Sequence, residues 1–279
     1  MLNDSLHRYG VKTKPVHLLY AKKSGHHAAN VERHTHRMPL PARSLIVLDK
    51  ETLVVTPELL FLELASMSDI DDIELLCIGY ELCGTYVLDP SCDSWDGFTN
   101  TSESLTSKRR ILTFLERCTH LRGTARARKL ARYLADGSNS PMETVTALIA
   151  SLPHCMGGWG LGAIKMNQRI VTADGPKWVD ILFVNTHVGL EYKGRRSHSL
   201  EHTMRDDRRQ NRLTGTGITT FNIWYEDLAQ EHLCNRLMRD IARALHMRLR
   251  MRSQAYEARR RVLYASLLPS IQRFEHVGG

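Results

Sequence analysis

Six cysteines are scattered through this 279-residue chain, yet no two form a Cys-x-x-C pair. The ligand spacing of a structural zinc is therefore missing. Long apolar runs are also lacking, as is the charged, apolar and small-residue pattern of a secretory signal. The expectation is a cytoplasmic protein with reduced thiols and no membrane partner. The glycine-rich stretch Gly157-Gly158-Trp159-Gly160-Leu161-Gly162 is not followed by Lys-Ser/Thr, which excludes a phosphate loop of that type. It reads as a flexible connector. Fourteen histidines include His26-His27 and His34-Thr35-His36, but in a basic segment these read as solvated side chains.

Positive charge is in excess. Lys and Arg number 38 against 30 Asp and Glu, a net charge of +8, which suggests a polyanionic partner. One basic segment runs from Lys108 to Arg132 and another from Arg248 to Arg261. Arg195, Arg196 and His198 form a third group, followed by Arg205, Arg208, Arg209 and Arg212 at helical spacing. Each cluster alone fits a solvated helix face. The two that follow Lys193 are the better candidates for phosphate contact, giving salt-dependent and mostly sequence-blind binding.

The chemistry concentrates in residues 177–193. Lys177 to Val184 and Val188 to Lys193 are rich in β-branched and aromatic residues and read as strands joined at Asn185-Thr186-His187. Alternation puts Glu191 and Lys193 on one strand face, and a hairpin can bring Asp180 beside them. Two carboxylates and an ammonium on an otherwise apolar sheet are costly unless paired or bound to a metal. Hard oxygen donors suit Mg²⁺. Taken without its context, the bare pattern reads better as a hairpin carrying a solvated Glu–Lys pair.

Flanking segments add an order of elements. Ser140-Pro141-Met142-Glu143 opens a helix to about Leu152, with Ser140 as N-cap and Glu143 at the positive helix end. A strand at 169–173 follows, then a turn at Asp174-Gly175 and the two strands above. Residues 201–214 read as a polar helix, Ile218 to Trp224 as a strand, and Glu226-Asp227 as the start of a long helix.

Asp180, Glu191-Tyr192-Lys193 and this order of elements resemble the PD-(D/E)XK nuclease superfamily. The closer resemblance is to its very-short-patch-repair-like small endonuclease branch, over roughly residues 138–250. It is carried by Ser140-Pro141-Met142-Glu143, Leu190-Glu191-Tyr192-Lys193-Gly194, Asp206-Asp207-Arg208-Arg209-Gln210-Asn211-Arg212-Leu213 and Trp224-Tyr225-Glu226-Asp227-Leu228. The resemblance implies a mixed α/β protein with a restriction-endonuclease-like αβββαβ core. It also implies metal-dependent DNA hydrolysis with Asp180 and Glu191 as metal ligands and Lys193 acting on the attacking water. Glu143 would be a further or water-mediated ligand; its other reading is a simple helix-start carboxylate. Mg²⁺ is the implied cofactor, with Mn²⁺ as substitute, and DNA the implied partner. The very-short-patch repair enzymes use a different active-site set and a structural zinc, so their mismatch specificity is not carried over.

Residues 1–105 read as a smaller α/β domain, 106–137 as a helical connector and 138–279 as the nuclease-like domain with C-terminal helices. Met38-Pro39-Leu40-Pro41, Leu53-Val54-Val55-Thr56-Pro57 and Leu62-Glu63-Leu64-Ala65 resemble the C-terminal domain of AbiEi-like antitoxins. That resemblance implies a bacterial defence or mobile-element setting, with a homodimer or partner protein contacting the N-terminal region. The alternative function is a catalytically silent DNA-binding or antitoxin-like regulator on a nuclease scaffold. Residues 89–97 and 100–104 read as loop, and 254–275 as a last helix with Tyr256, Val262, Leu263 and Leu267 inward.

Overall fold

The computed structural model describes residues 8–11, 15–20, 30–35, 39–50, 52–88, 97–193, 211–249 and 253–273. Strand β1 (Val16–Tyr20) lies parallel to β2 (Val31–Thr35), and β3 (Leu45–Val47) is antiparallel to β4 (Leu53–Val55). Helix α1 (Pro57–Ser66) starts where Thr56 Oγ1 accepts the Leu59 N–H, with proline in the first turn, where its missing N–H costs nothing. Helix α2 (Asp72–Cys83) is capped by Asp71, whose Oδ1 accepts the Ile73 and Glu74 N–H groups, each at 2.7 Å.

Helices α3 (Lys108–Glu116) and α4 (Thr124–Ala131) pack on α1. The basic segment here is largely committed to internal contacts. The Arg126 guanidinium donates to the Ala65, Met67 and Ile70 carbonyls and to Asp72, and Arg128 donates to the Leu115 carbonyl. Lys108 Nζ donates to the Arg132 carbonyl, and Arg110 pairs with Glu58 at 3.1 Å.

A short strand lies between the two stretches expected to be loop, and of those stretches it takes in only Asn100. Strands β5 (Tyr86–Leu88) and β6 (Phe98–Asn100) form an antiparallel pair. Three residues are too few for a sequence signal, and their order comes from tertiary contacts. Phe98 meets Tyr86 edge-on at 6.0 Å, and Asn100 Nδ2 donates to the Asn139 carbonyl. Gly84 lets the backbone pass close, since a Cβ there would stand 2.7 Å from the Ser138 carbonyl oxygen.

Helix α5 (Pro141–Ser151) begins at the expected cap and is buried from Pro141 through Ala150. It is a core helix whose buried polar side chains, Glu143, Thr144 and Thr146, are hydrogen-bonded internally. The sheet beside it has the order β10-β9-β8-β7, built from β7 (Ile164–Thr172), β8 (Gly175–Phe183), β9 (Val188–Lys193) and β10 (Thr219–Trp224). Strands β7, β8 and β9 form an antiparallel meander, and β10 joins β9 in parallel. A parallel neighbour requires a crossover. Residues 211–215 of that connection are helical; the rest of the expected 201–214 helix lies outside the described residues.

Three further expectations need correction. The glycine-rich stretch is a packed bend: Trp159 is buried, its N–H donates to the Ile149 carbonyl, and a Cβ on Gly158 would stand 2.1 Å from the Leu152 oxygen. The long helix from Glu226 is broken. Gln230 adopts extended backbone (φ −111°, ψ 112°) between α6 (Tyr225–Ala229) and α7 (Glu231–Ala244). In the last helix, α8 (Gln254–Arg273), Tyr256, Leu263 and Leu267 are buried, but Val262 is 65% exposed. One buried apolar cluster runs from Leu59 in α1 to Ile271 in α8. The chain is a mixed α/β protein, and among the described residues no helix is long and apolar enough to cross a membrane.

Candidate functional site

Alternation along β8 buries Val179, Ile181 and Phe183 and leaves Asp180 half-buried between them. The paired register with β9 runs through Leu182↔Gly189 and Ile181↔Leu190. Past that point the Asp180 carboxylate takes over from the backbone, and its Oδ2 accepts the Tyr192 N–H at 2.8 Å. Strand β9 continues along β10 instead, through Tyr192↔Ile223 and Lys193↔Trp224. Asp180, Glu191 and Lys193 therefore stand together at a fork between β8 and β9.

Glu191 is 4% exposed, and its Oε2 lies 3.1 Å from Lys193 Nζ. The expectation that they share a strand face agrees with this ion pair. Both side chains are mostly withdrawn from water, where each charge depends on the other.

Glu143 reaches the same place from α5. Its Oε2 accepts hydrogen bonds from the Asn139 N–H (2.9 Å) and Asn167 Nδ2 (2.8 Å), and its Oε1 from the Ser140 hydroxyl. Ser140 Oγ accepts the Glu143 N–H in return, close to a capping box. Glu143 thus fills the helix-start role. Burial pushes its carboxyl up to about 7, and the nearby Asp180 charge adds to the rise, while its three hydrogen bonds oppose it.

Asn167 is the site residue that sequence reasoning missed. It falls between the register pairs Met166↔Ile181 and Gln168↔Val179, across from Asp180, at φ +44°. Asparagine tolerates this left-handed backbone better than most residues. The signal was a polar residue of low strand propensity inside Met166-Asn167-Gln168, just upstream of the expected strand start.

These donors are oxygens only: Glu191 pairs with the Lys193 ammonium, while Asp180 accepts the Tyr192 N–H and lies near enough to Glu143 to act on its charge. The donor set fits a hard divalent cation that keeps part of its water shell. It does not amount to a closed cage: among the described residues no group of three or more His, Cys, Asp and Glu is close enough to hold a metal ion. Of the expected phosphate-contacting residues, Arg195, Arg196, His198, Arg205, Arg208 and Arg209 lie outside the described residues. Arg212 is described, and its Nε pairs with Asp174 in the β7–β8 turn at 2.5 Å. His34 stacks on His17 with ring centroids 5.1 Å apart, whereas His26, His27 and His36 lie outside the described residues. Among the described cysteines, Cys77, Cys83, Cys118, Cys155 and Cys234 are free thiols.

Compared with protein-family models, curated proteins and solved structures, the chain matches none.

Proposed function

We propose that this protein is a metal-dependent DNA endonuclease of the PD-(D/E)XK kind, hydrolysing phosphodiester bonds at Asp180, Glu191, Lys193 and Glu143. The observation that carries this reading is the nearly buried Glu191–Lys193 ion pair beside Asp180 at the strand fork. Buried ion pairs contribute little net stability, so a paired ammonium and carboxylate next to a second carboxylate favour a chemical role.

Asp180 and Glu191 would hold Mg²⁺ or Mn²⁺, with Glu143 joining through a bound water. Once bound, such an ion lowers the pKa of coordinated water and stabilises charge on phosphate oxygens. Lys193, fixed by Glu191, presents a cation to the developing charge or to the attacking water. The Asp180–Tyr192 hydrogen bond keeps the two strands at a set separation, so the carboxylates do not need to reorganise. Arg195, Arg196, His198, Arg205, Arg208, Arg209 and Arg212 follow Lys193 in sequence and would contact the DNA backbone.

The test is cleavage of plasmid and single-stranded DNA with Mg²⁺ or Mn²⁺, comparing wild type with Lys193→Ala and Asp180→Ala. Both substitutions should reduce metal-dependent cutting by about 100-fold or more while DNA binding survives. Salt-sensitive binding without cutting, unchanged in either variant, would replace this reading with the silent regulator.

A further inference from the structure

A second site lies away from the strand fork. A cavity of about 530 Å³ opens between the β3 end and α3, and four arginines line it: Arg43, Arg109, Arg110 and Arg117. The one carboxylate in its lining, Glu58, is buried and already satisfied by Arg110 at 3.1 Å and by the Thr106 hydroxyl. The cavity therefore keeps a positive excess. Arg117 is anchored by donating to the Ala42 carbonyl. The side chains of Arg43 and Arg109 have no hydrogen bond or ion pair among the described residues.

One local rule is broken at this cavity. The first turn of α3 holds Lys108, Arg109 and Arg110, but its positive end is already offset by Asp136, whose Oδ1 accepts the Lys108 N–H at 2.6 Å, so the dipole calls for no ligand. Arg43 adopts φ +65°, a left-handed conformation that a long side chain rarely takes. That conformation costs stability, and strain of this kind concentrates at ligand sites. An anion would supply the partner that the Arg43 and Arg109 side chains lack. Beside them, Leu45 and Ile46 are 41% and 44% exposed and line the same cavity, where the β3 edge presents one of these two alternating side chains next to the arginines. The volume is in the range of small-molecule sites.

We propose that this cavity binds a nucleotide, with its phosphates among Arg43, Arg109 and Arg117 and its nucleoside against the apolar side chain that the β3 edge presents beside them. The site is separate from Asp180, Glu191 and Lys193 and does not rest on the nuclease reading. Charge-assisted, forked arginine contacts supply the phosphate affinity.

The test is titration of the full chain by calorimetry with ATP, pyrophosphate and adenosine, without divalent cations. ATP should bind saturably, at least about 10-fold tighter than adenosine or pyrophosphate, and more weakly as salt rises. Arg43→Gly is the sharpest variant, because glycine accepts φ +65° and should not destabilise the fold. It and Arg109→Ala should each weaken ATP by about 10-fold, whereas Asp180→Asn should leave binding unchanged. Absence of saturable ATP binding, or binding unmoved by both arginine variants, overturns the proposal. Pyrophosphate binding as tightly as ATP overturns the nucleoside part. A DNA duplex that binds tighter than ATP through the same arginines overturns it in favour of a nucleic-acid contact.

Discussion

Glu143 gathers the residue-scale physics of the site into one titration. Its carboxyl stands at about 7 in the folded chain against an ordinary 4.5, raised chiefly by burial and then by Asp180. Below about pH 4.5 both folded and unfolded chains hold the proton, and the group's contribution to stability is fully present. As pH rises toward 7 the unfolded chain releases its proton first, so that contribution falls and is gone once the folded group ionises. Glu143→Gln removes this titration. The stability of metal-free wild type relative to Glu143→Gln, from urea midpoints at pH 5 and pH 8, should decline with rising pH. A difference that stays flat would mean that Glu143 is ionised throughout. The Ser140 cap, Glu143 and the alternation around Asp180 were all legible in the sequence, because each depends on neighbours within a few positions. Asn167 was not, because its meaning depends on facing Asp180 across a strand pair and Glu143 across a helix.

Elements whose ends carry their own chemistry were read correctly. Thr56-Pro57 and Ser140-Pro141 mark α1 and α5 to within a residue. Elements set by packing were not. Strand β6 exists through Tyr86 and Asn139, the break at Gln230 has no glycine or proline to announce it, and Gly157 and Gly158 serve close packing while Gly160 and Gly162 take left-handed backbone. The basic run on α3 and α4 is similar: sequence shows charge, while structure shows Arg126 joining the end of α1 to the start of α2 through three carbonyls and Asp72. Arg126→Ala should cost about 2–4 kcal/mol, since it leaves carbonyl acceptors with weakened partners. Urea denaturation would read this as a lower midpoint with an unchanged slope. A loss under about 0.5 kcal/mol would assign the contacts to solvent-exchanged surface.

At the scale of the whole molecule, the mixed α/β class agrees with what the resemblance implies, and the helix and strands on either side of the site were legible from caps, turns and strand composition, whereas the sheet order needed the structure. Strand β9 sits between β8, its hairpin neighbour, and β10, which arrives only after a long crossover. That arrangement has a kinetic consequence. The β7–β9 meander closes short loops, while β10 must pay a larger chain-closure entropy before its parallel pairing returns anything. Folding should therefore pass its barrier with the meander formed and the outer edge of β9 still open. Ile181 and Ile223 are both fully or almost fully buried, and Ile→Ala at either costs about 2–5 kcal/mol. In stopped-flow chevrons, Ile181→Ala should mainly slow folding and Ile223→Ala mainly speed unfolding. The reverse pattern would place β10 in the nucleus. Until β10 docks, the carboxylate and ammonium on β9 belong to an unprotected strand edge, where their charge would discourage pairing with a second chain.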